Sequence, residues 1–457
     1  MGSEWQELPF TEAVQVNPKI KLKKGERYPF VEMKAIDPSW RSVAESEYRT
    51  FKSGGARFEP YDTLLARITP CLENGKIARY APTNGSDGPA FGSTEFIVIR
   101  GKDGITDNNF AYYLTKWQDF RQFAISQMTG SSGRQRVPAG SLGAFYVPIP
   151  ELPEQRAIAH ILGSLDDKIE LNRRMNETLE AMASALFKSW FIDFDPVIDN
   201  ALAAGNPIPE DLQPRAALRE SLGDARKPLP DDIRDLFPCE FEFTEEMGWI
   251  PKGWNLDILD TLTSELRRGI SPKYTEQAGI RVINQRCIRN HAIDYSFARR
   301  NDEKQRKVDG RLLEKGDLLV NSTGVGTLGR MAQVIFIDEP TVVDSHVTVV
   351  RAASEKYKPY TFSRMMLSLE PTVEAMGEGS TGQTELSRTI LANMKAIVPP
   401  LEIQELVENN FLDIAEKVSV NTRYNEALAE TRDTLLPKLL LGEIRIPEAE
   451  KLVEASV

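Results

Sequence analysis

Gly324, Gly326 and Gly329 stand in the order G-x-G-x-x-G within LLVNSTGVGTLGR, directly after an apolar run that reads as a strand. That spacing cradles a dinucleotide pyrophosphate when the glycine turn opens a helix whose N-terminus receives the negative charge. The next residues are instead MAQVIFIDEP, a β-branched and aromatic run that reads as a second strand. The glycines are therefore expected to shape a hairpin or loop. Other catalytic chemistry is sparsely provided. His160, His291 and His346 form no H-E-x-x-H motif and no pair at helical spacing, so neither a metal site nor a histidine-based triad is expected. Cys71, Cys239 and Cys287 are isolated and odd in number, which excludes a disulfide framework and a C-x-x-C site.

The elements that would position functional residues come in two copies. Gly130 to Phe191 aligns without a gap onto Gly379 to Leu440, and both copies open on Pro-x-Leu-x-x-Gln, at Pro150, Leu152, Gln155 and at Pro399, Leu401, Gln404. KIELNRRMNETL in the first matches KVSVNTRYNEAL in the second. Upstream, Leu64 to Ala78 matches Leu318 to Ala332 and EFIVIR matches HVTVVR. Only Gly75, the partner of Gly329, keeps its glycine in both, while Pro70 and Leu72 stand opposite Gly324 and Gly326. The dinucleotide reading falls with them, because a shared unit does not share the fingerprint.

The repeated tail reads as helix. Ile158, Leu162, Leu165, Ile169, Leu179, Ala183, Leu186 and Trp190 follow the alternating spacing of a heptad seam, as do Val407, Phe411, Ile414, Val418, Leu428, Leu435 and Leu439, with Arg432 as an interruption. The missing seam positions are Asn172 and Asn176 in one helix and Asn421 and Asn425 in the other. Asparagine on a seam sets register and partner choice, so an antiparallel pairing is expected in which Asn172 faces Asn425 and Asn176 faces Asn421. Such a helix from Glu154 to Trp190 would span about 55 Å at 1.5 Å per residue.

Net charge adds an asymmetry. The chain totals −11, yet residues 1–150 and 251–400 carry +3 each, against −11 for 151–250 and −6 for 401–457. The mildly basic blocks are the ones suited to phosphate, and the acidic helices suit protein docking. Strands are expected at Leu64 to Ile68, Glu95 to Ile99, Asp317 to Asn321, Met331 to Ile337 and His346 to Arg351. Helices are expected at Asn108 to Met128 and Tyr360 to Met376, each just before a Gly/Ser loop. Residues 193–246, rich in proline and acid, read as an irregular, loosely packed connector. With no apolar run of membrane length and no leader-like start, the chain is expected to be cytoplasmic, with no membrane partner.

The segment PELPEQRAIAHILGSLDDKIELNRRMNETLEAMASALFKSWFIDFDP, the G-W-I-P-K-G-W at Gly248 to Trp254 and the closing LLPKLLLGEI closely resemble the specificity subunits of type I restriction-modification systems. The resemblance implies an α+β fold. Two mixed target recognition domains, 1–149 and 247–398, would be joined by helical regions 150–192 and 399–445 in an antiparallel coiled coil, pseudo-two-fold duplicated, with the connector at 193–246 and a tail at 446–457. It also implies the partners: double-stranded DNA read as a bipartite site, two methyltransferase subunits docked on the helices, and restriction and translocase subunits in the larger complex. No cofactor, metal or catalytic residue is implied for this chain. Asp37-Pro38-Ser39-Trp40 departs from the methyltransferase Asn-Pro-Pro-aromatic signature, and no P-loop is present.

DNA contacts are expected at matched loop positions. The loop after LLARIT offers Arg67, Thr69, Lys76 and Arg79, against Asn321, Ser322, Thr323 and Arg330. The Gly/Ser loops offer Ser131, Ser132, Arg134, Gln135 and Arg136, against Ser380, Thr381, Gln383 and Thr384. Arginine and glutamine read guanine and adenine edges bidentately, whereas serine, threonine and backbone N–H groups hold phosphate. Arg267, Arg268, Arg299 and Arg300 have no first-copy match and read as solvated surface. Two other classes stay open. A stand-alone DNA-binding regulator would purify as a monomer or homodimer, and an enzyme would bind a nucleotide or methyl donor directly.

Overall fold

A computed structural model describes residues 5–454 except 84, 86, 224, 225 and 378–384. It contains two compact units, one of Met1–Arg174 with Asn421–Val457 and the other of Met175–Val420. Both units are built on one strand frame. In unit 1 the strands run in the order Val14–Val16, Phe96–Gly101, Thr63–Ala66, Ile77–Tyr80, Ser42–Val43, and in unit 2 in the order Thr263–Arg268, Val347–Ala352, Leu318–Asn321, Met331–Gln333. The four strands common to both are antiparallel. Each unit adds a further four-stranded sheet.

The frame corrects one register. Ile99 pairs with Thr63 and its counterpart Val350 pairs with Leu318, so Thr63 answers to Leu318 and Arg67 to Ser322, one residue away from the gapless alignment. On the next strand Ala78 still answers to Ala332, so the first copy holds one more loop residue. A one-residue slip would turn every side chain to the other face, and a buried ion pair fixes the strand against it. Arg100 grips Asp62 through Nε and an Nη at 2.6 and 2.7 Å, and Arg351 grips Asp317 at 2.6 and 2.9 Å. Both aspartates are fully buried, where an unpaired carboxylate would be costly.

The glycine fingerprint indeed lies in the turn between two antiparallel strands, Leu318–Asn321 and Met331–Gln333. Gly75 and Gly329 are kept for a backbone reason: their φ values are 72° and 84°. A Cβ would lie 2.9 Å from the Arg121 guanidinium in the first and 2.8 Å from Glu374 Cα in the second.

Each expected helix before a Gly/Ser loop is in fact two. Asn108–Lys116 and Gln118–Ser126 break at Trp117, whose backbone turns extended as the ring buries against Phe145. Pro359–Ser368 and Glu370–Ala375 divide at Leu369, and Pro371 opens the second helix, where its missing N–H costs nothing.

Two long helices, Leu152–Phe187 and Leu401–Leu440, are shared out between the units. In unit 1, Ile158, Leu162, Leu165 and Ile169 of the first join Leu428, Leu435 and Leu439 of the second in one core with Phe10, Phe110 and Phe120. The helices run antiparallel there, since Asp166 meets Arg432 and Asn172 meets Asn425. Arg432, which breaks the apolar seam, reaches the buried Asp166 at 2.6 Å, and Tyr113 donates to the same carboxylate at 2.7 Å. In unit 2, Asn176 donates to the Val418 carbonyl at 3.3 Å and Phe187 approaches Phe411. The seam drifts near its end, with Phe187 buried and Leu186 only partly so.

Residues 193–246 are not a loose connector. Asp195–Ala204 and Gln213–Ser221 are helices, and Phe194, Val197 and Phe237 enter the unit 2 core beside Trp254. The prolines mislead because Pro196 and Pro214 stand in first helical turns, which they help to start. The acid is locally neutralised: Arg215 binds Asp195 at 2.6 and 2.7 Å, and Arg219 binds Asp199.

Asn172 Nδ2 donates to Asn425 Oδ1 at 2.9 Å, with both residues buried. Asn172→Leu alone should cost about 1–3 kcal/mol, by leaving the buried Asn425 Oδ1 without this donor. Replacing both by leucine should cost less than the two single losses combined, which a double-mutant cycle followed by urea unfolding will measure. Strictly additive losses would mean that the amide pair is not energetically coupled.

Candidate nucleic-acid interface

The site is assembled from the start of each long helix. Gln155 is fully buried, accepts the Asp107 N–H at 2.8 Å and donates to the Ile105 and Pro150 carbonyls at 2.8 and 2.7 Å. Gln404 repeats this in unit 2, accepting from Lys358 N at 2.8 Å and donating to the Pro399 carbonyl at 2.7 Å. The glutamine of the Pro-x-Leu-x-x-Gln opening thus ties the helix start to the segment preceding the broken helix pair. Asp107 caps that pair in unit 1 by accepting from Asn109 N and Phe110 N. In unit 2 the Glu408 carboxylate of the long helix does the same for Tyr360 and Thr361.

The broken helix leads into the Gly/Ser loop, which the strand frame then receives. Arg67 N donates to the Glu95 carbonyl and Val137 N to the Arg67 carbonyl. Ser322 N donates to the His346 carbonyl and Leu386 N to the Ser322 carbonyl in the same way. Both units therefore bond the residue that follows Thr63–Ala66, or Leu318–Asn321, to the chain just after the Gly/Ser stretch, at Val137 and at Leu386. In unit 1 the join is tight, since Thr69 N donates to the Gln135 carbonyl and Gln135 N to Thr69 Oγ1, each at 3.0 Å.

Several expected contacts are placed otherwise. Asn321 and Ser322 are fully buried, Asn321 donating to the Gln285 carbonyl at 3.1 Å and Ser322 bonded to Thr348 at 2.6 Å, so neither can meet a ligand. The strand is set one residue further along than the gapless match implies, so Asn321 is its last residue and not a loop position. Arg79 belongs to the strand Ile77–Tyr80, stacks on Tyr61, and lines a cavity with Arg41, Tyr113 and His160 of the same unit. Burial lowers its pKa. Arg136 is held by Glu95 through contacts of 2.7 to 3.0 Å, and that hydrogen bonding raises its pKa. Lys76 donates to the Met33 carbonyl, and Thr323 bonds His346 Nδ1 at 2.8 Å.

The residues that stay at the surface are fewer. Ser131, Ser132 and Arg134 are exposed, with Arg67, Gln135 and Arg330 partly so. Ser380, Thr381, Gln383 and Thr384 lie outside the described residues. Of the four arginines read as solvated, Arg267 pairs with Glu265, Arg268 with Glu385 and Arg300 with Glu339, so these are structural. Arg299 alone is exposed, its guanidinium 3.5 Å from the Tyr274 ring centre.

Sequence reasoning missed Arg286 and Arg289, both exposed and stacked on Phe297 at 4.9 and 5.0 Å. Arg286 precedes, and Arg289 belongs to, a hairpin of Ile288–Arg289 with Ala292–Ile293, whose two turn residues Asn290 and His291 both have positive φ. An Asn-His turn carries little of the glycine signal by which such hairpins are recognised. His291 is anchored to Glu370 at 2.5 Å, which raises its pKa. Among the described residues, no cluster of His, Cys, Asp and Glu could hold a metal, and no helix is long and apolar enough to cross a membrane.

Residues 12–181 match the family model for the type I restriction modification DNA specificity domain. The chain is 26% identical over 375 residues to the type I restriction enzyme HindI specificity subunit of Haemophilus influenzae, covering 77% of this chain and 81% of that relative. It is 24% identical over 357 residues to the MjaIX specificity subunit of Methanocaldococcus jannaschii, covering 77% and 72%. Its fold resembles that of the S subunit of a type I restriction-modification system from M. genitalium, with a TM-score of 0.51 over 95% of this chain and 96% of that one at 14% identity. Over 77% of its length the chain is similar to type I restriction-modification specificity subunits.

Thr69 is the clasp of the unit 1 loop. Thr69→Val should cost about 0.5–1.5 kcal/mol through the lost hydrogen bond and should speed proteolytic cleavage between Ser131 and Arg134. An unchanged cleavage rate would show that the loop is held elsewhere.

Proposed function

We propose that this chain is the DNA-reading subunit of a type I restriction-modification complex, each unit reading one half of a bipartite, asymmetric duplex site. Its long helices set the separation of the half-sites and dock two methyltransferase subunits, with restriction and translocase subunits joining the full assembly. The observation that carries this reading is the repeated frame. The two units join strand and chain by the same backbone bonds, Val137 to Arg67 and Leu386 to Ser322, while the Gly/Ser sequences just before Val137 and Leu386 differ. Equal scaffolds with unequal loops are what two readers of different sequences require. Base readout falls to exposed loop side chains such as Arg134, and phosphate to the serines beside it.

The chain is non-catalytic, acts in the cytoplasm and takes no cofactor of its own. The stand-alone regulator is not favoured, because it gives no role to two long helices with acidic exposed faces.

Replacing residues 8–145 with the matching block of a relative should change one half of the methylated site and leave the other half unaltered, as read by methylation mapping in a host that also carries the methyltransferase. A change in both halves would mean that the units read jointly. Arg134→Ala should relax one base position at a cost of about 1–3 kcal/mol, measured by competition binding across site variants. A uniform loss over all sequences would make Arg134 a phosphate contact. The purified chain without partners should transfer no methyl group to DNA, and robust transfer in a radiolabel assay would overturn the reading.

A further inference from the structure

Unit 1 contains a cavity of about 610 Å³ between the extended segment after Val16, the start of Ala56–Phe58 and the strand Phe96–Gly101. Its lining includes Lys19, Lys21, Arg57 and Arg67, with Thr94 and Asn17 as the neutral polar groups and no carboxylate. The nearest acid in sequence, Glu95, is already bound by Arg136.

None of the four cations makes an ion pair among the described residues. Lys19 and Lys21 are exposed, because the alternation in Lys19-Ile20-Lys21 turns Ile20 into the protein and both ammonium groups out. Arg57 is propped in place, donating to the Ile20 carbonyl at 3.1 Å and lying over the Phe51 ring. Arg67 Nε is buried with no hydrogen-bond partner among the described residues. A buried guanidinium donor without an acceptor is costly, and a cavity of this composition supplies an obvious acceptor once an anion enters it. Arg67 also carries the carbonyl that receives Val137 N, so the cavity abuts the Gly/Ser loop.

The positions of unit 2 that match Lys19, Lys21 and Arg67 carry no cation. Val16 pairs with Ile99 as Leu266 pairs with Val350. Three and five residues beyond Val16 stand Lys19 and Lys21, but three and five beyond Leu266 stand Gly269 and Ser271. The counterpart of Arg67 is the buried Ser322.

We propose that this cavity is a seat for the DNA phosphate backbone peculiar to unit 1, formed by Lys19, Lys21, Arg57 and Arg67, so that the two half-sites are held with unequal electrostatic strength. The proposal rests on the DNA-reading function above. Phosphate contacts carry no sequence information but release counterions, so their signature is salt dependence.

The test is fluorescence anisotropy of the full-length chain on a random-sequence duplex between 50 and 200 mM KCl. Lys19→Gln/Lys21→Gln removes two exposed charges without disturbing the core, and Lys227→Gln, an exposed lysine of the 193–246 segment, controls for net charge. With a slope of roughly −0.9 per phosphate contact, losing two contacts should flatten the log–log plot by about 1.8, so the wild-type advantage should shrink about twelve-fold across that range. Arg67→Gln should flatten it by about 0.9, while Lys227→Gln should leave it unchanged. Wild-type binding with the same slope in the Lys19/Lys21 variant would overturn the phosphate seat and leave the DNA-reading function standing. A wild-type chain with no affinity for any duplex would overturn both.

Discussion

Much of the molecule depends on one buried side chain used twice. A glutamine at the start of each long helix carries both a donor and an acceptor, and Gln155 and Gln404 use both against backbone groups of the segment that leads into the broken helix. A buried amide left unbonded would cost more than its net worth when bonded, so the helix start and the globular block hold together or are both weakened. Pro150 and Pro399 supply a carbonyl to these glutamines, which explains why proline and glutamine recur at one spacing.

From that junction the repeat builds outwards with decreasing fidelity. The Arg–Asp clamp is the same in both units, and so are the backbone bonds that seat the loops. The loop side chains are not. One unit has Arg67, Thr69 and Gln135 where the other turns Asn321 and Ser322 inward and builds its surface from Arg286, Arg289 and Arg299 stacked on aromatic rings. Stacking holds a guanidinium plane in place while leaving its edge donors accessible. A fixed frame with divergent loops allows recognition to change without refolding the domain.

Charge follows the same division. The net −11 resides largely in the helices and the 193–246 segment, where arginines and acids pair locally, as Arg215 does with Asp195. The recognition blocks have small net charges, yet their basic residues are unevenly used: Arg100, Arg351 and Arg136 are consumed by carboxylates, and Lys19, Lys21 and Arg134 face solvent. Which cations remain available, more than how many there are, decides what the surface attracts.

The sequence by itself determined the duplication, the helical seam, the Asn172–Asn425 encounter and the irrelevance of the glycine fingerprint, because each rests on periodicity or spacing that one chain records directly. It also carried the family likeness in the helices. The one-residue register difference between the copies, the helical nature of residues 193–246 and the burial of Asn321 and Ser322 were decided only by tertiary structure. Strand register is fixed by partners distant in sequence, here Arg100 with Asp62 and Arg351 with Asp317, and no local pattern announces them. The same reason hid the cationic cavity: Lys19, Arg57 and Arg67 are far apart along the chain, and only the closing of the sheet brings their charges to one place.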